Sequence, residues 1–225
     1  MSITEQDTAE PGRSSHLSSD PGTRLTRRES QKRETRERLI EAGEAEFRLR
    51  GYNETTAENI ATAAGTSRAT FYVYFKSKTE VVLELMRRIS PEVLKAYSNL
   101  DAIAVHDLDH VRTWLRETIA LWEERRTEFT AIEQALADDD AVANMWVATL
   151  GDSYMEMPRT FGRITDPAGR ERARLHLMTL QAALDRMMFF ATIRRQPLDM
   201  ELLIDVLAAQ WLSFLESANP AGPSA

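Results

Sequence analysis

Apolar residues recur at intervals of three and four along most of the chain, with charged residues between them. This spacing is typical of amphipathic α-helices, and we see no apolar–polar alternation that would indicate a β-strand. Capping and helix-breaking residues place the ends of the helices. The predicted helices cover roughly 30–50, 56–64, 68–74, 79–90, 91–100, 107–125, 127–137, 139–163, 168–195 and 199–217. We therefore predict an all-α fold.

Two short helices joined by a tight turn are predicted near the N-terminus. Thr55 and Glu58 have the spacing of a capping box, in which each side chain bonds to a backbone N–H at the start of a helix. Gly65 supplies the turn, and Ser67 is a favourable N-cap for the helix that starts at Arg68. Two helices connected in this way form a helix-turn-helix.

Other residues predict where the longer helices end. Gly51 stands where a left-handed C-cap is expected. Ser90 and Pro91 predict a kink or an end, because proline disfavours the helical conformation in the residue before it. Aspartates before the later helices, such as Asp107 and Asp199, have the position of N-caps.

Charge is distributed unevenly, although the whole chain has a formal net charge of -7. Residues 21–90 contain 14 Lys and Arg against 10 Asp and Glu, whereas residues 91–225 contain 13 against 21. Affinity for a phosphate backbone rests on Lys and Arg. An excess of basic charge in one short segment is expected if only that segment contacts nucleic acid.

Several kinds of protein have no support in the sequence. Cysteine is absent, which excludes disulfides, thiolate metal sites and cysteine nucleophiles. We find no long apolar segment and no signal peptide, so we predict a cytoplasmic protein without membrane contacts. His106 and His110 have a metal-binding spacing but lack a third ligand. Without a phosphate loop or a nucleophile motif, we predict no enzyme, no metal and no cofactor.

The helix-turn-helix segment contains a dense set of residues in a characteristic order. They are Gly51, Tyr52, Thr55, Thr56, Ile60, Ala61, Ala64, Gly65, Ser67, Thr70, Phe71, Tyr72, Tyr74, Phe75, Ser77 and Lys78. In this order, residues 35–85 resemble the DNA-binding domain of TetR/AcrR-family regulators. Ala69 departs from the family, which usually has Gly or Pro there. Residues 143–146 and 184–212 more weakly resemble the ethionamide-resistance repressor and its relatives.

Helical spacing suggests how this segment would contact DNA. Phe71 and Phe75 share one face and would anchor their helix to the core. Arg68 can donate two hydrogen bonds to a guanine, and the resemblance implies that Lys78 contacts a phosphate. The alternative is an ordinary aromatic core with a solvated arginine beside it. The predicted DNA-binding residues are Thr56, Ser67, Arg68, Thr70, Tyr72, Tyr74 and Lys78.

The last two helices are apolar around most of their circumference, which requires two surfaces to pack against. One is the core of their own domain, and we expect the other to be the same helices in a second subunit. The alternative is that both helices are simply central. The predicted dimer residues are Leu180, Met187, Leu203, Leu207, Trp211 and Phe214.

Aromatic and methionine side chains in the C-terminal part can form a plain core or an adaptable apolar pocket. The residues alone favour a core, whereas the family resemblance implies a pocket. The predicted pocket residues are Trp114, Trp122, Met145, Trp146, Tyr154, Leu184, Met188 and Phe189. Leu184 stands where the ethionamide-resistance repressor has an asparagine, so the ligand's identity does not transfer. His176 is predicted to be a satisfied core histidine.

These predictions define an organisation and a function. Residues 1–25 are predicted to be a disordered arm, 26–78 the DNA-binding domain, 79–217 the ligand-binding and dimerisation domain, and 218–225 a flexible tail. Basic residues at 24–38 suit either DNA contacts or a solvated helix start. The resemblance implies a homodimeric repressor that an apolar small molecule releases from a (pseudo)palindromic double-stranded operator. A TetR-like activator and an interaction module without DNA binding remain alternatives.

Overall fold

A computed structural model describes residues 27–105 and 107–218. Within these ranges the chain forms helices and no strand, which confirms the predicted all-α fold. The α-helices are α1 (Arg27–Glu54), α2 (Ala57–Ala63), α3 (Arg68–Tyr74), α4 (Lys78–Ala102), α5 (Leu108–Glu124), α6 (Arg126–Leu136), α7 (Asp140–Asp152), α8 (Pro158–Phe161), α9 (Pro167–Met188) and α10 (Met200–Ser217). A 3-10 helix spans Ser153–Glu156, and a π-helix spans Phe189–Ile193.

The first three helices pack through one apolar face of α1. Leu39, Ile40 and Phe47 are buried there and belong to the same core cluster as Ile60 of α2. At Gly43, a Cβ would lie only 2.6 Å from Cγ1 of Val81 in α4. The glycine therefore permits a close approach between α1 and α4, and a larger residue there would require Val81 to move.

Gly51 interrupts the first helix as expected, but it is not a left-handed cap. Its φ of 78° and ψ of 162° belong to a region essentially restricted to glycine. Beyond this break, one further turn extends to Glu54. The interruption changes the direction of the chain before α2 begins.

The predicted capping box is wrong by one residue. Thr56, not Thr55, is the N-cap of α2, and its partner is Asn59, not Glu58. Thr55 is buried, and its hydroxyl donates to the carbonyl of Gly51 at 2.7 Å. Since Thr55 closes the end of α1, the next threonine begins α2.

A kink or an end was predicted at Ser90 and Pro91, and the end is wrong because α4 continues to Ala102. Proline removes one backbone donor from a helix but need not end it when neighbouring packing is favourable. The Ser90 hydroxyl donates to the Met86 carbonyl at 2.7 Å. Beyond the proline, Tyr97 and Leu100 are buried and hold the second half of α4 against the C-terminal helices.

The predicted helix at 139–163 is broken into three pieces. The helix α7 ends at Asp152 and is followed by the 3-10 helix and by α8. The buried Asp101 at the end of α4 accepts hydrogen bonds from the backbone N–H groups of Arg159 and Thr160, at 2.7 and 2.8 Å. It also accepts one from the Thr160 hydroxyl at 2.7 Å. A distant carboxylate thus caps α8, a contact that no local pattern reveals.

The predicted helix at 168–195 starts as expected but changes from an α-helix to a π-helix before it ends. Asp166 caps α9 by accepting a bond from the N–H of Gly169, and the α-helical part ends at Met188. The π-helix follows, within which the Thr192 hydroxyl donates to the Met188 carbonyl at 2.9 Å. Asp107 and Asp199 cap α5 and α10 as predicted.

We expect Asp101→Ala to lower the free energy of unfolding by about 3 kcal/mol, because the part-buried N–H of Arg159 and the buried N–H and hydroxyl of Thr160 would lose their acceptor. Urea denaturation at fixed protein concentration measures the change. The control is Glu123→Ala, at an exposed position on α5, with an expected change within about 0.5 kcal/mol. Equal stability of the two variants would contradict this role for Asp101.

Candidate functional site

The helix-turn-helix is built by local hydrogen bonds as the sequence predicted. Gly65 has a φ of 66°, which allows the tight turn after α2. Ser67 caps α3, since its hydroxyl oxygen accepts a bond from the N–H of Thr70 at 3.1 Å. The hydroxyls of Ser67 and Thr70 also lie 3.0 Å apart. Both hydroxyls therefore serve first to start α3.

Two phenylalanines fix the orientation of α3. Phe71 is fully buried and Phe75 nearly so, and their rings are 5.7 Å apart. The Arg36 guanidinium lies 5.0 Å above the Phe75 ring and forms an ion pair with Glu84 at 2.6 Å. These contacts tie α3 to both α1 and α4.

The opposite side of α3 is exposed and combines one cation with apolar and aromatic groups. This exposed α3 face consists of Arg68, Ala69, Tyr72 and Val73. Tyr72 is 48% exposed and Val73 is 73% exposed. The Arg68 guanidinium lies 5.6 Å from the centre of the Tyr72 ring, and a hydrogen bond with Tyr72 raises the pKa of Arg68. The face therefore presents a permanent positive charge.

The exposed α3 face differs from the predicted set in two ways. Tyr74 is half-buried and packs against the core, so its ring is less free than predicted. Ala69 and Val73 were not predicted, although both lie opposite Phe71 by helical spacing. That spacing was the available signal, and attention to polar residues alone missed it.

Thr56 lies at the exposed start of α2, and its polar groups are used in the cap. Its oxygen accepts a bond from the Asn59 N–H at 3.2 Å, while its own N–H donates to the Asn59 side chain at 3.0 Å. Thr56 therefore has a structural role in the free protein.

Lys78, at the start of α4, is hydrogen-bonded to the backbone at the end of α1 and the start of the helix-turn-helix. Its ammonium donates to the carbonyls of Tyr52, Asn53 and Thr55 at 2.6, 3.0 and 2.9 Å. It also lies 4.3 Å from the centre of the Tyr52 ring, and burial lowers the pKa of Lys78. An ammonium has three hydrogens, and all three are used here. A phosphate contact by Lys78 would require giving up one of these bonds.

A narrow, mostly apolar cavity of about 30 Å³ lies between α4, α5, α6, α7 and α9, and it is partly open to solvent. Of the predicted pocket residues, Trp122, Trp146 and Leu184 line it. Residues of α4 contribute a wall that was not predicted. They are Met86, Ile89, Ser90, Val93, Ala96 and Tyr97.

The other predicted pocket residues lie elsewhere, which corrects that part of the prediction. Trp114 and Met188 are core residues, and Met145 packs against the core. Tyr154 lines a separate open groove, and Phe189 lies in the π-helix beneath Arg186. Helical periodicity cannot distinguish a cavity wall from a filled core, because both are apolar.

Asp185 is the acidic residue of the cavity wall. Its Oδ2 atom is buried and accepts no hydrogen bond from the residues that the structure describes. Burial, with a contribution from the charge of Glu133, raises the pKa of Asp185 to about 8. Asp185 was not predicted, because no local motif in the sequence marks it.

The predicted dimer residues are mostly core residues, which corrects the prediction. Leu180, Leu207, Trp211 and Phe214 are buried within the chain's own core. Met187 and Leu203 are only half-buried and pack against that core. The helices α9 and α10, with the π-helix between them, expose a different set of apolar side chains, which we call the α9–α10 face. It consists of Leu175, Phe190, Leu202 and Val206.

The remaining predictions concern histidines, metals and membranes. His176 is exposed rather than buried, and its ring meets the edge of Phe214 at 5.2 Å. His106 lies outside the described residues. Across 27–105 and 107–218, no three His, Cys, Asp or Glu side chains come together in a metal-binding group. The helices in these ranges include none with the length and apolar character needed to cross a membrane.

Comparison with known proteins identifies the N-terminal part and the fold. Residues 39–85 match the family described as "Bacterial regulatory proteins, tetR family". Over 87% of this chain, the fold is similar to all of a TetR-family regulator from Syntrophomonas wolfei, with a TM-score of 0.60 and 17% identity. The N-terminal part of the chain therefore belongs to the TetR family. A TetR-family regulator from Streptomyces coelicolor is similar over 84% of each chain, with a TM-score of 0.60 and 17% identity.

Curated relatives match mainly the N-terminal part of this chain. TtgR of Pseudomonas putida is 43% identical over 63 residues, which is 28% of this chain and 29% of TtgR. The repressor BepR of Brucella suis is 28% identical over 114 residues, 49% of this chain and 54% of BepR. The matched segments thus span about a third to a half of the relatives' lengths.

Substitution of Lys78 tests its role in this TetR-family domain. We expect Lys78→Met to lower the free energy of unfolding by about 2 to 3 kcal/mol, because three backbone carbonyls lose a charged donor. The matched control is Lys76→Met, at an exposed position two residues earlier, with an expected change within about 0.5 kcal/mol. Both are measured by urea denaturation. A Lys78→Met protein as stable as the control would show that the three hydrogen bonds of Lys78 do not stabilise the fold.

Proposed function

We propose that this TetR-family chain is a sequence-specific transcription regulator that reads double-stranded DNA with α3. The observation that carries the proposal is the two-sided construction of α3. Buried Phe71 and Phe75 fix one side, while the exposed α3 face projects outward. A helix held rigidly from behind and exposed in front suits insertion into a major groove.

The side chains of the exposed α3 face match the chemistry of base edges. Arg68 can donate two hydrogen bonds to the O6 and N7 atoms of a guanine. Ala69 and Val73 offer methyl groups that can pack on the methyl group of a thymine. The Tyr72 hydroxyl can donate to a phosphate oxygen, which fixes position without reading sequence. The excess of basic charge over residues 21–90 supports attraction to the backbone.

The chain acts as a homodimer in this proposal, with a second copy covering the α9–α10 face. Leu202 is 60% exposed and Val206 is 49% exposed, one helical turn apart on α10. Exposed apolar groups at this spacing form a stripe that a two-fold partner can cover with its own copy. Two copies of α3 would then reach successive major grooves of a (pseudo)palindromic operator.

A small molecule in the cavity releases the operator in this proposal, and two helices connect the sites. The wall helix α4 begins at Lys78, which is bonded to the helix-turn-helix. The wall helix α6 contacts α1, where the Gln134 side chain accepts a bond from the Tyr52 N–H at 2.7 Å. A ligand that favours another position of α4 or α6 would shift the population away from the DNA-binding arrangement. One solved structure of similar fold is described as a SmeT–triclosan complex.

Replacement of Arg68 tests direct readout. We expect Arg68→Ala to relax the preference at one operator base pair and to weaken binding to the preferred base by about 1 to 3 kcal/mol. Fluorescence anisotropy with a series of single base-pair substitutions measures both effects. The control is Arg116→Ala, which removes an arginine of α5 that pairs with Glu201 of α10. It should leave the base-pair preferences unchanged. Equal losses on every operator sequence would refute base readout by Arg68.

A charge on the α9–α10 face tests the dimer. We expect Leu202→Glu to weaken dimerisation at least about tenfold, because two carboxylates would be desolvated near the two-fold axis. Light scattering over a micromolar concentration range provides the measurement. The control is Leu49→Glu, since Leu49 on α1 is 72% exposed and distant in sequence. A wild-type protein that is monomeric at these concentrations would disprove the dimer.

A further inference from the structure

The cavity contains an unused hydrogen-bond acceptor. Asp185 lies on α9, and its Oδ2 atom is buried without a hydrogen bond from the residues that the structure describes. A buried polar atom without a partner costs free energy, so it is uncommon in folded proteins. A ligand that donates to Oδ2 would remove this cost.

The polar and charged groups around Asp185 favour a positive partner. Tyr97 faces it from α4 and Glu133 from α6, while Thr118 and Thr149 line the cavity from α5 and α7. The described lining residues include no lysine or arginine. An anion placed beside Asp185 would therefore face two carboxyl groups and no cation of the wall.

Arg186, the basic residue that acts on Asp185, makes its contacts with other groups than Oδ2. The Arg186 guanidinium lies 3.3 Å from a carboxylate oxygen of Glu133 and 4.9 Å from the centre of the Phe189 ring. Its side chain is also more than half exposed. Arg186 therefore neutralises Glu133 more than Asp185.

The rest of the wall is mostly apolar and includes four aromatic residues. Tyr97, Trp122, Phe129 and Trp146 all line the cavity. The rings of Trp122 and Phe129 are stacked, with centres 3.9 Å apart. Aromatic faces attract cations and also bury an apolar body. One acid among several rings is thus complementary to a molecule with one positive end and an apolar remainder.

We propose that the effector is an amphiphilic cation, such as a lipophilic amine, whose ammonium group donates to Oδ2 of Asp185 while its apolar part lies among the aromatic rings. The proposal rests on the proposed function in one respect, because it takes the cavity as the effector site. It adds the chemical class of the effector and the residue that selects it.

Binding of a cation to ionised Asp185 has a predictable pH dependence. Since burial raises the pKa of Asp185 to about 8, the carboxyl is mostly protonated in the free protein at pH 7. A bound ammonium stabilises the carboxylate, and the displaced proton passes to solvent. Affinity for the cation should therefore rise about tenfold per pH unit from pH 6 toward 8 and level off above it. Tyr97 stays protonated throughout, because burial raises its pKa.

A pair of probes that differ in charge tests the proposal on the full chain. The probes are 6-phenylhexylamine and 6-phenylhexan-1-ol, which both donate a hydrogen bond, while only the amine is cationic below pH 9. Quenching of tryptophan fluorescence reports occupancy, since Trp122 and Trp146 line the cavity. Calorimetry at pH 6, 7 and 8 gives the affinities. Release of operator DNA by each probe is measured in parallel.

Two variants separate the role of Asp185 from a general charge effect. Asp185→Asn keeps the shape and removes the ionisable group, while Glu123→Gln makes the same charge change at an exposed site on α5. We expect the amine to bind Asp185→Asn about 30-fold more weakly at pH 8, with no pH dependence left. The alcohol should bind wild type and both variants equally, and Glu123→Gln should behave as wild type with both probes.

The outcomes distinguish this inference from the proposed function. Equal affinity for amine and alcohol, or amine binding unchanged in Asp185→Asn, would overturn the cationic effector. If the alcohol also released the operator, the proposal of a ligand-released regulator would be supported, but the proposal of a cationic effector would not. If neither probe bound, the cationic effector would be overturned, and operator binding measured alone would still decide the DNA-binding part of the proposed function.

Discussion

The long helix α4 is attached by charged groups near both ends, and the rest of the structure depends on this attachment. At its start the Lys78 ammonium bonds to three carbonyls around the end of α1, and near its end the Asp101 carboxylate caps α8. Between these points, α4 approaches α1 at Gly43 and forms one wall of the cavity. A helix of 25 residues spans roughly 37 Å, so α4 connects the end of α1 with the distant helix α8.

In the regulator proposed above, this arrangement would couple a ligand site to a DNA site that it does not touch. The cavity is bordered by α4 and α6, and both helices are hydrogen-bonded to residues near the break at Gly51. A small displacement of either helix must therefore change the contacts that position α2 and α3. Packed helices move as units rather than deform continuously. In the proposed function, the coupling would pass through a few contacts at Tyr52, Gln134 and Lys78.

Local signals were sufficient to predict the helix-turn-helix, and tertiary contacts decided the rest. Ser67, Gly65 and the spacing of Phe71 and Phe75 act within a few residues, so their roles could be derived from sequence. The shift of the cap from Thr55 to Thr56 depends on a bond back to Gly51. The continuation of α4 past Pro91 depends on burial against distant helices, and the break after α7 depends on Asp101.

The two sides of α10 show most clearly what helical periodicity cannot predict. Leu207 and Trp211 are buried, whereas Leu202 and Val206 are exposed, although all four are apolar. Their separation is set by the position of α5, where Arg112 pairs with Asp205 at 2.7 Å and Arg116 with Glu201 at 2.7 Å. Periodicity could predict that α10 has apolar groups in two directions but not which direction the core occupies.

The central claim is that the exposed α3 face recognises a particular DNA sequence. The most direct measurement is the binding of the full chain to DNA from upstream of its own gene and to random DNA of equal length, by fluorescence anisotropy at two salt concentrations. We predict a strong preference for the upstream DNA, with affinity that falls as salt rises because phosphate contacts release counterions. Absence of binding to either DNA at low salt would contradict the account and favour a helical protein-interaction module.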